Sequence, residues 1–358
     1  MIGAFLSSFP LLFRCDCVVQ RLYLNRRKFV KNASCIKRTN YLVVRASSSG
    51  VDNSTLIENE LSLKYFQYKG FRTSYIVSAP NTEASCNFAV VCVHGFGATC
   101  EHWKHNIPYL SKRFGFVYAV DLLGFGASDK PSPVSTPDLT VAYTFEEWAA
   151  QINTFVDKVV QRPVVLIANS IGCLVAMQAA VEHPENYIGL IALNPSLRLL
   201  SKKKRSGLKA VLASFIAGLL RIQFFSTIFF QQLTKETVIR RILEQAYYDK
   251  SRVTDSLVKM LQKPSKDPGA RSVFVEFTNY SDGATPEELL EKLRLPVAII
   301  WGEKDPWEPV ALGQNLKQFP CVKRFVRLPN VGHCPHDEAP DRVNPVLEEI
   351  IREFTSTP

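Results

Sequence analysis

The sequence predicts an α/β domain: a mostly parallel central sheet with an antiparallel start, interrupted once by an inserted helical cap. Three observations carry this. Short Val/Ile-rich runs recur at 88–93, 116–120, 164–167, 188–193, 297–301 and 324–328. Continuous apolar runs of that length suit strands buried on both faces. Amphipathic segments at 101–113 and 145–160 lie between them and supply the helical crossovers that parallel strands require. The rhythm then stops between Leu193 and Val297, where a long helical pattern with no convincing strand exceeds any simple crossover.

Residues 1–46 hold nine basic residues and one acid, Asp16, with several serines, and end at Val43-Val44-Arg45-Ala46. This composition predicts an organelle transit peptide, plastid rather than mitochondrial, cleaved near Ala46. A secretory signal is disfavoured because the positive charges follow the apolar run 2–13 instead of preceding it. Residues 47–62 read as a polar leader, 63–195 as the first part of the core, 196–291 as the cap and 292–358 as the second part of the core. Alternation over 64–79 around Lys69-Gly70 predicts a hairpin. Pro286 stands where a last cap helix would begin.

The net charge of +10 suggests nucleic acid or membrane at first sight, but residues 47–358 carry 34 basic against 32 acidic residues. A nucleic-acid partner is therefore not expected. The nine cysteines show no paired metal-ligand spacing, so neither structural zinc nor a disulfide framework is expected. Cys92 and Cys173 read as small buried hydrophobes, and Cys334, beside His333, as a candidate for oxidation sensitivity.

The chemistry begins at Ala168-Asn169-Ser170-Ile171-Gly172, set between the apolar run 164–167 and a helix-forming segment, 173–181. A strand passing through such a turn into a helix is a nucleophile elbow, which exposes the Ser170 hydroxyl and needs small neighbours such as Gly172. The usual pattern has Gly where this chain has Ala168. A serine nucleophile needs a base, and the base an acid. In α/β hydrolases these follow in the order Ser, acid, His. Asp305, after the run 297–301, fits as acid and His333, after 324–328, as base; Glu303 and His336 are their rivals in the same loops. The oxyanion donors would be the backbone amides of Ile171 and of Phe96, in His94-Gly95-Phe96-Gly97-Ala98. Asn169, Gly95, Gly97 and His94 support the elbow and this loop, with the His94 ring as a buttress rather than a catalyst. Asp121 to Ser128 has a Gly-x-Gly without the third Gly of a dinucleotide loop and reads as a structural turn. His183 reads as a C-terminal helix cap.

Phe215, Phe224, Phe225, Phe229 and Phe230 follow the basic run Lys202-Lys203-Lys204-Arg205 in the cap. They fill a cap core beside a solvated turn, or admit an isoprenoid chain while the basic run approaches anionic lipid.

His94-Gly95-Phe96-Gly97-Ala98 with Trp103, the Asn169-Ser170-Ile171-Gly172 elbow, Trp301-Gly302-Glu303-Lys304-Asp305-Pro306-Trp307-Glu308-Pro309 and Leu328-Pro329-Asn330-Val331-Gly332-His333-Cys334-Pro335 resemble plant and cyanobacterial chlorophyll dephytylases, relatives of pheophytinase. The likeness extends over roughly 66–354 and into the cap, at Asp267-Pro268-Gly269-Ala270 and 274–277. It implies an α/β-hydrolase fold and a chloroplast enzyme, peripherally associated with thylakoids, that hydrolyses the phytyl ester of chlorophyll. The substrate would be a hydrophobic tetrapyrrole ester, with its magnesium part of the substrate and no cofactor or protein-bound metal. Alternatives are a hydrolase of pheophytin or another lipid ester, and a ligand-binding receptor or scaffold on the same fold.

Overall fold

The computed structural model describes residues 61–78, 86–135, 140–197, 218, 220–280 and 283–356. The segments read as transit peptide, as leader up to residue 60, and as the basic run 202–205 lie outside the described residues, as does Phe215.

The sheet opens with the expected hairpin, β1 (Ser62–Tyr68) and β2 (Phe71–Ser78). Its two-residue turn places Lys69 at φ 50° and Gly70 at φ 81°, the paired positive dihedrals that match the twist of the flanking strands. β3 (Ala89–Val93), β4 (Val117–Val120), β5 (Val164–Asn169), β6 (Tyr187–Leu193), β7 (Val297–Gly302) and β8 (Val322–Leu328) complete eight strands in the order β1-β2-β4-β3-β5-β6-β7-β8. β2 runs antiparallel to β1 and β4, and all later pairs are parallel. This is an α/β-hydrolase fold.

Strand alternation divides the core in two. Ala89, Val91 and Val93 of β3 face one layer and Val90 and Cys92 the other. α1 (Ile107–Phe114) and α11 (Pro340–Ser356) cover the second face. In α11 the buried positions Val343, Leu347, Ile350, Ile351 and Phe354 fall at helical spacing, and Phe354 occupies the space left by the missing side chain of Gly189. α2 (Phe145–Phe155) and α3 (Ile171–Glu182) cover the first face. α3 is apolar nearly all round because sheet and neighbouring helices enclose it.

The amphipathic segment expected at 101–113 is broken in two. A 3-10 turn, Cys100–Trp103, precedes α1, where Pro108 sits in the first turn and suits a helix start. α2 widens into a π turn, Val156–Val160, and α3 ends at His183, the expected cap position.

Within 196–291 every described element is helical: α4 (Gln223–Leu233), α5 (Glu236–Ala246), α6 (Asp255–Gln262), α7 (Ala270–Asn279) and α8 (Pro286–Leu290), with short 3-10 turns between them. Pro286 opens α8, and Thr285 and Glu288 close a reciprocal capping box around it. Leu243, Tyr247, Val253, Leu257 and Val258 form a third cluster that includes Cys334 and reaches Trp307 of the core. Two short helices, α9 (Val310–Gln314) and α10 (Pro335–Glu338), complete the fold.

The carboxyl ends of β3, β5, β6, β7 and β8 share one edge of the sheet, where open α/β sheets bind ligands. The end of β7 packs directly on the loop after β8: a methyl on Gly302 would meet the Gly332 carbonyl oxygen at 2.0 Å. Backbone on both sides leaves no side chain to yield. Gly302→Ala is expected to cost about 3 kcal/mol of unfolding free energy by overpacking, measured by urea denaturation; a change near zero would contradict this packing.

Candidate active site

Ser170 sits at the β5–α3 junction with φ 57° and ψ −121°, a left-handed backbone rare for a residue with a side chain. The turn is held from three directions. A methyl on Gly172 would lie 2.5 Å from the His94 carbonyl oxygen and 2.7 Å from that of Val93, so α3 starts in contact with the end of β3. The Ser170 N–H donates to the Leu193 carbonyl at 3.0 Å, tying the elbow to β6. Asn169 Nδ2 donates to the carbonyls of Leu193 and His333, each at 3.1 Å. Ala168 does not disturb this geometry: its methyl points into the core, fully buried.

The acid and base loops are laced together by the Lys304 N–H donating to the Val331 carbonyl at 2.9 Å. At their tips His333 Nδ1 and Asp305 Oδ2 are 2.6 Å apart. Asp305 Oδ2 also accepts from Asn194 Nδ2 at 2.7 Å, and Oδ1 accepts from the N–H groups of Trp307 and Glu308 at 2.8 and 3.0 Å. Burial opposes ionisation of this carboxyl, but the facing imidazole and these donors outweigh it and hold its pKa below the usual carboxylate range. The stability contributed by this ionised acid is therefore present above the unfolded pKa and lost as pH falls through the depressed folded value. Of the sequence rivals, Glu303 instead pairs with Arg327 at 2.7 Å. His336 stacks on Trp103 with ring centroids 4.1 Å apart and lies 3.3 Å from His102.

Ser170 is 2% exposed, and its buried hydroxyl has no hydrogen-bond partner among the described residues, so no bond joins it to His333 in this state. Such bonds are often long without substrate and tighten in the complex. With Nδ1 committed to Asp305, Nε2 is the nitrogen of His333 left to exchange a proton.

The loop after β3 closes the site. A methyl on Gly95 would meet Ser170 Cβ at 3.0 Å. Gly97 takes φ 71° to complete the turn. The buried His94 ring accepts the Leu122 N–H on Nε2 at 3.1 Å, so Nδ1 carries the proton and donates to the Gly95 carbonyl at 2.7 Å. Burial pulls the pKa of His94 down, consistent with this neutral ring. Gly95 C=O and Phe96 N–H belong to one planar trans peptide and point in opposite directions. By fixing that carbonyl, His94 fixes the direction of the Phe96 N–H. Neither Phe96 N–H nor Ile171 N–H is paired with a backbone acceptor among the described residues. Asp121 accepts from Cys100 N–H, Ala127 N–H and Ser74 Oγ, with Ser128 Oγ on its carbonyl, as expected of a structural turn.

Three contributors carry no motif of their own. Asn194, fully buried at φ 44°, bridges Asp305 and the Gly302 N–H. Glu338 accepts from Gly332, Tyr248 and Asp249 N–H groups at 2.8, 3.0 and 2.9 Å, and thus joins the base loop to the end of α5. Tyr247 donates to Asp337 Oδ2 at 2.7 Å, and the His333 N–H donates to the Ala246 carbonyl at 2.8 Å. Cys334 is buried in this junction, which pushes its thiol pKa well up and runs against oxidation sensitivity there.

Two substitutions test this geometry. Ala168→Gly, which restores the commoner elbow residue, is expected to lower stability by about 1 kcal/mol through added backbone freedom, read by chemical denaturation, and to leave turnover unchanged. His94→Ala is expected to lower kcat about 100-fold with little change in KM, as a freed oxyanion amide would; unaltered kcat on a short acyl ester would contradict the buttress.

Residues 90–346 match the model of the Alpha/beta hydrolase family. The chain is 25% identical over 263 residues to the uncharacterized hydrolase YugF of Bacillus subtilis, covering 74% of this chain and 89% of that protein. It is 24% identical over 303 residues to the chloroplastic pheophytinase of Arabidopsis thaliana, covering 75% of this chain but only 62% of that relative. Among solved structures, a bacterial membrane phospholipase A superposes with a TM-score of 0.65 at 21% identity, over 84% of this chain and 88% of the other. Fold, family match and relatives agree: the chain belongs to the alpha/beta hydrolase family.

Proposed function

We propose that the chain is a serine carboxylester hydrolase that removes the phytyl chain from chlorophyll in the plastid, in association with thylakoids. The observation that carries the reaction type is the Asp305–His333 pair beside a Ser170 held at positive φ against Gly95. His333 Nε2 takes the Ser170 proton as Oγ bonds to the carbonyl carbon of the propionate ester. Asp305 stabilises the resulting imidazolium. The oxyanion rests on the amides of Phe96 and Ile171. Its collapse breaks the carbon–oxygen bond to the alcohol, and His333 returns the proton so that phytol leaves. Water, deprotonated by the same imidazole, then bonds to the acyl carbon; the bond to Ser170 Oγ breaks, His333 returns the proton to that oxygen, and the acid leaves.

The substrate class is supported by the apolar surroundings of the site. Phe96 stacks on Phe277 at 4.8 Å and packs against Phe125 and Phe274 at 5.6 and 6.2 Å. A narrow crevice lined by Phe145, Leu174, Ser196, Leu197, Tyr280 and Pro286 lies beside the first turn of α3, but it has room for little more than a water and has to widen with the cap before a hydrocarbon chain enters. Because Ser170 is buried, a bulky ester also requires the cap to move. The likeness to pheophytinase favours pheophytin as the second reading.

Turnover of chlorophyll, pheophytin and a short acyl ester by wild type and Ser170→Ala separates these readings. Phytol release from chlorophyll is expected, with a loss of about 10⁴-fold or more in the variant. Equal rates for the two proteins on all three substrates would sink the catalytic reading, and release from pheophytin alone would move the assignment to the second one.

A further inference from the structure

The cap helix α4 has two apolar sides, and only one is used. Phe229 and Phe230 turn inward and pack on Phe274 at 6.0 and 5.6 Å, with Ser226 buried between the turns. Phe224, Phe225 and Ile228, at i, i+1 and i+4, share the other side and are 56, 46 and 44% exposed; Ile222, at the helix start, is 51% exposed. These four are the majority of the large hydrophobic residues that the described part of the protein leaves in solvent. A continuous patch of that kind marks a docking face.

Charge says what docks there. Residues 196–235, which contain α4, hold eight basic residues and no acid, whereas the rest of 47–358 holds 26 basic and 32 acidic. The near-neutral total thus hides a cationic, aromatic segment set in an anionic protein. A second copy would bring the same cations against their like and be repelled. An anionic bilayer offers a hydrocarbon layer for the phenylalanines and a negative surface for the cations.

We propose that the 222–228 face of α4 docks the protein on an anionic lipid surface. Docking there orients the site as well. The inner side of α4 reaches the oxyanion loop through Phe274, which packs on Phe96 at 6.2 Å. The cap above Ser170 is then the part of the enzyme nearest the membrane, and a lipid-soluble ester enters from the bilayer beneath it. The surface itself rests on exposure and charge, not on the ester reading, and is tested without turnover.

Co-flotation of the full chain carrying Ser170→Ala, with vesicles of phosphatidylglycerol and phosphatidylcholine in equal parts, reads the docking directly; pure phosphatidylcholine vesicles are the comparison. Binding is expected to prefer the anionic vesicles and to weaken as salt rises. Phe224→Ser with Phe225→Ser is expected to weaken it about 10-fold, and Ile228→Ser alone about threefold, so the result does not hang on the double variant folding. Replacing Lys202, Lys203, Lys204 and Arg205 by Gln is expected to remove the preference for anionic lipid. Failure of the parent to float, or equal flotation of parent and α4 variants, would overturn the proposal; the latter would move docking to the basic stretch 1–46. Self-association abolished by the Phe substitutions would assign the face to a second copy and overturn it too.

Discussion

The backbone of Ser170 is the constraint on which the site depends. A left-handed conformation at a residue with a side chain costs about 1–3 kcal/mol and survives only where its surroundings determine it. Here they are backbone: the carbonyls of Val93 and His94 against Gly172, Gly95 against Ser170 Cβ, and the Leu193 carbonyl on the Ser170 amide. Three strand ends, β3, β5 and β6, are thereby fixed to one another within hydrogen-bonding or van der Waals distance. The same contacts bring the loop that carries Phe96 over Ser170. The strained turn and the oxyanion loop are one construction.

A second construction joins the base to the cap. His333 hangs between Asp305 on its ring and the Ala246 carbonyl on its backbone amide. Glu338 spans the same gap with three backbone donors, although burial pushes its carboxyl pKa above the usual range. The end of α5 is thus bonded to the loop it covers, whereas α4 packs on α7, through Phe229 and Phe230 against Phe274 and through Arg271 donating to Ser226 Oγ, and reaches the core by way of Phe274 on Phe96. The α5 side is therefore a fixed support for His333.

The strands were legible because a buried parallel sheet leaves continuous Val/Ile runs, and the Lys69-Gly70 turn because its dihedrals demand such residues. Ser170, Asp305 and His333 stand out by motif and order along the chain, and the structure sets Asp305 rather than Glu303 against His333. Asn194 and Glu338 leave no signal in the sequence because their partners Asp305 and Tyr248 lie 111 and 90 residues away, beyond any local pattern. The break at Pro108 was readable from the residue itself, yet the hydrophobic period carried straight through it. Ala168 looked like the flaw in the elbow. The structure makes it a core residue, because the close approach that requires glycine falls at Gly172 and Gly95.

The proposed reaction requires Ser170 to be a nucleophile activated by His333. Labelling with a fluorophosphonate, followed by peptide mapping by mass spectrometry, tests it most directly. One adduct is expected, on Ser170, and it fails to form in His333→Ala. An adduct on another residue, or equal labelling without the histidine, would contradict it.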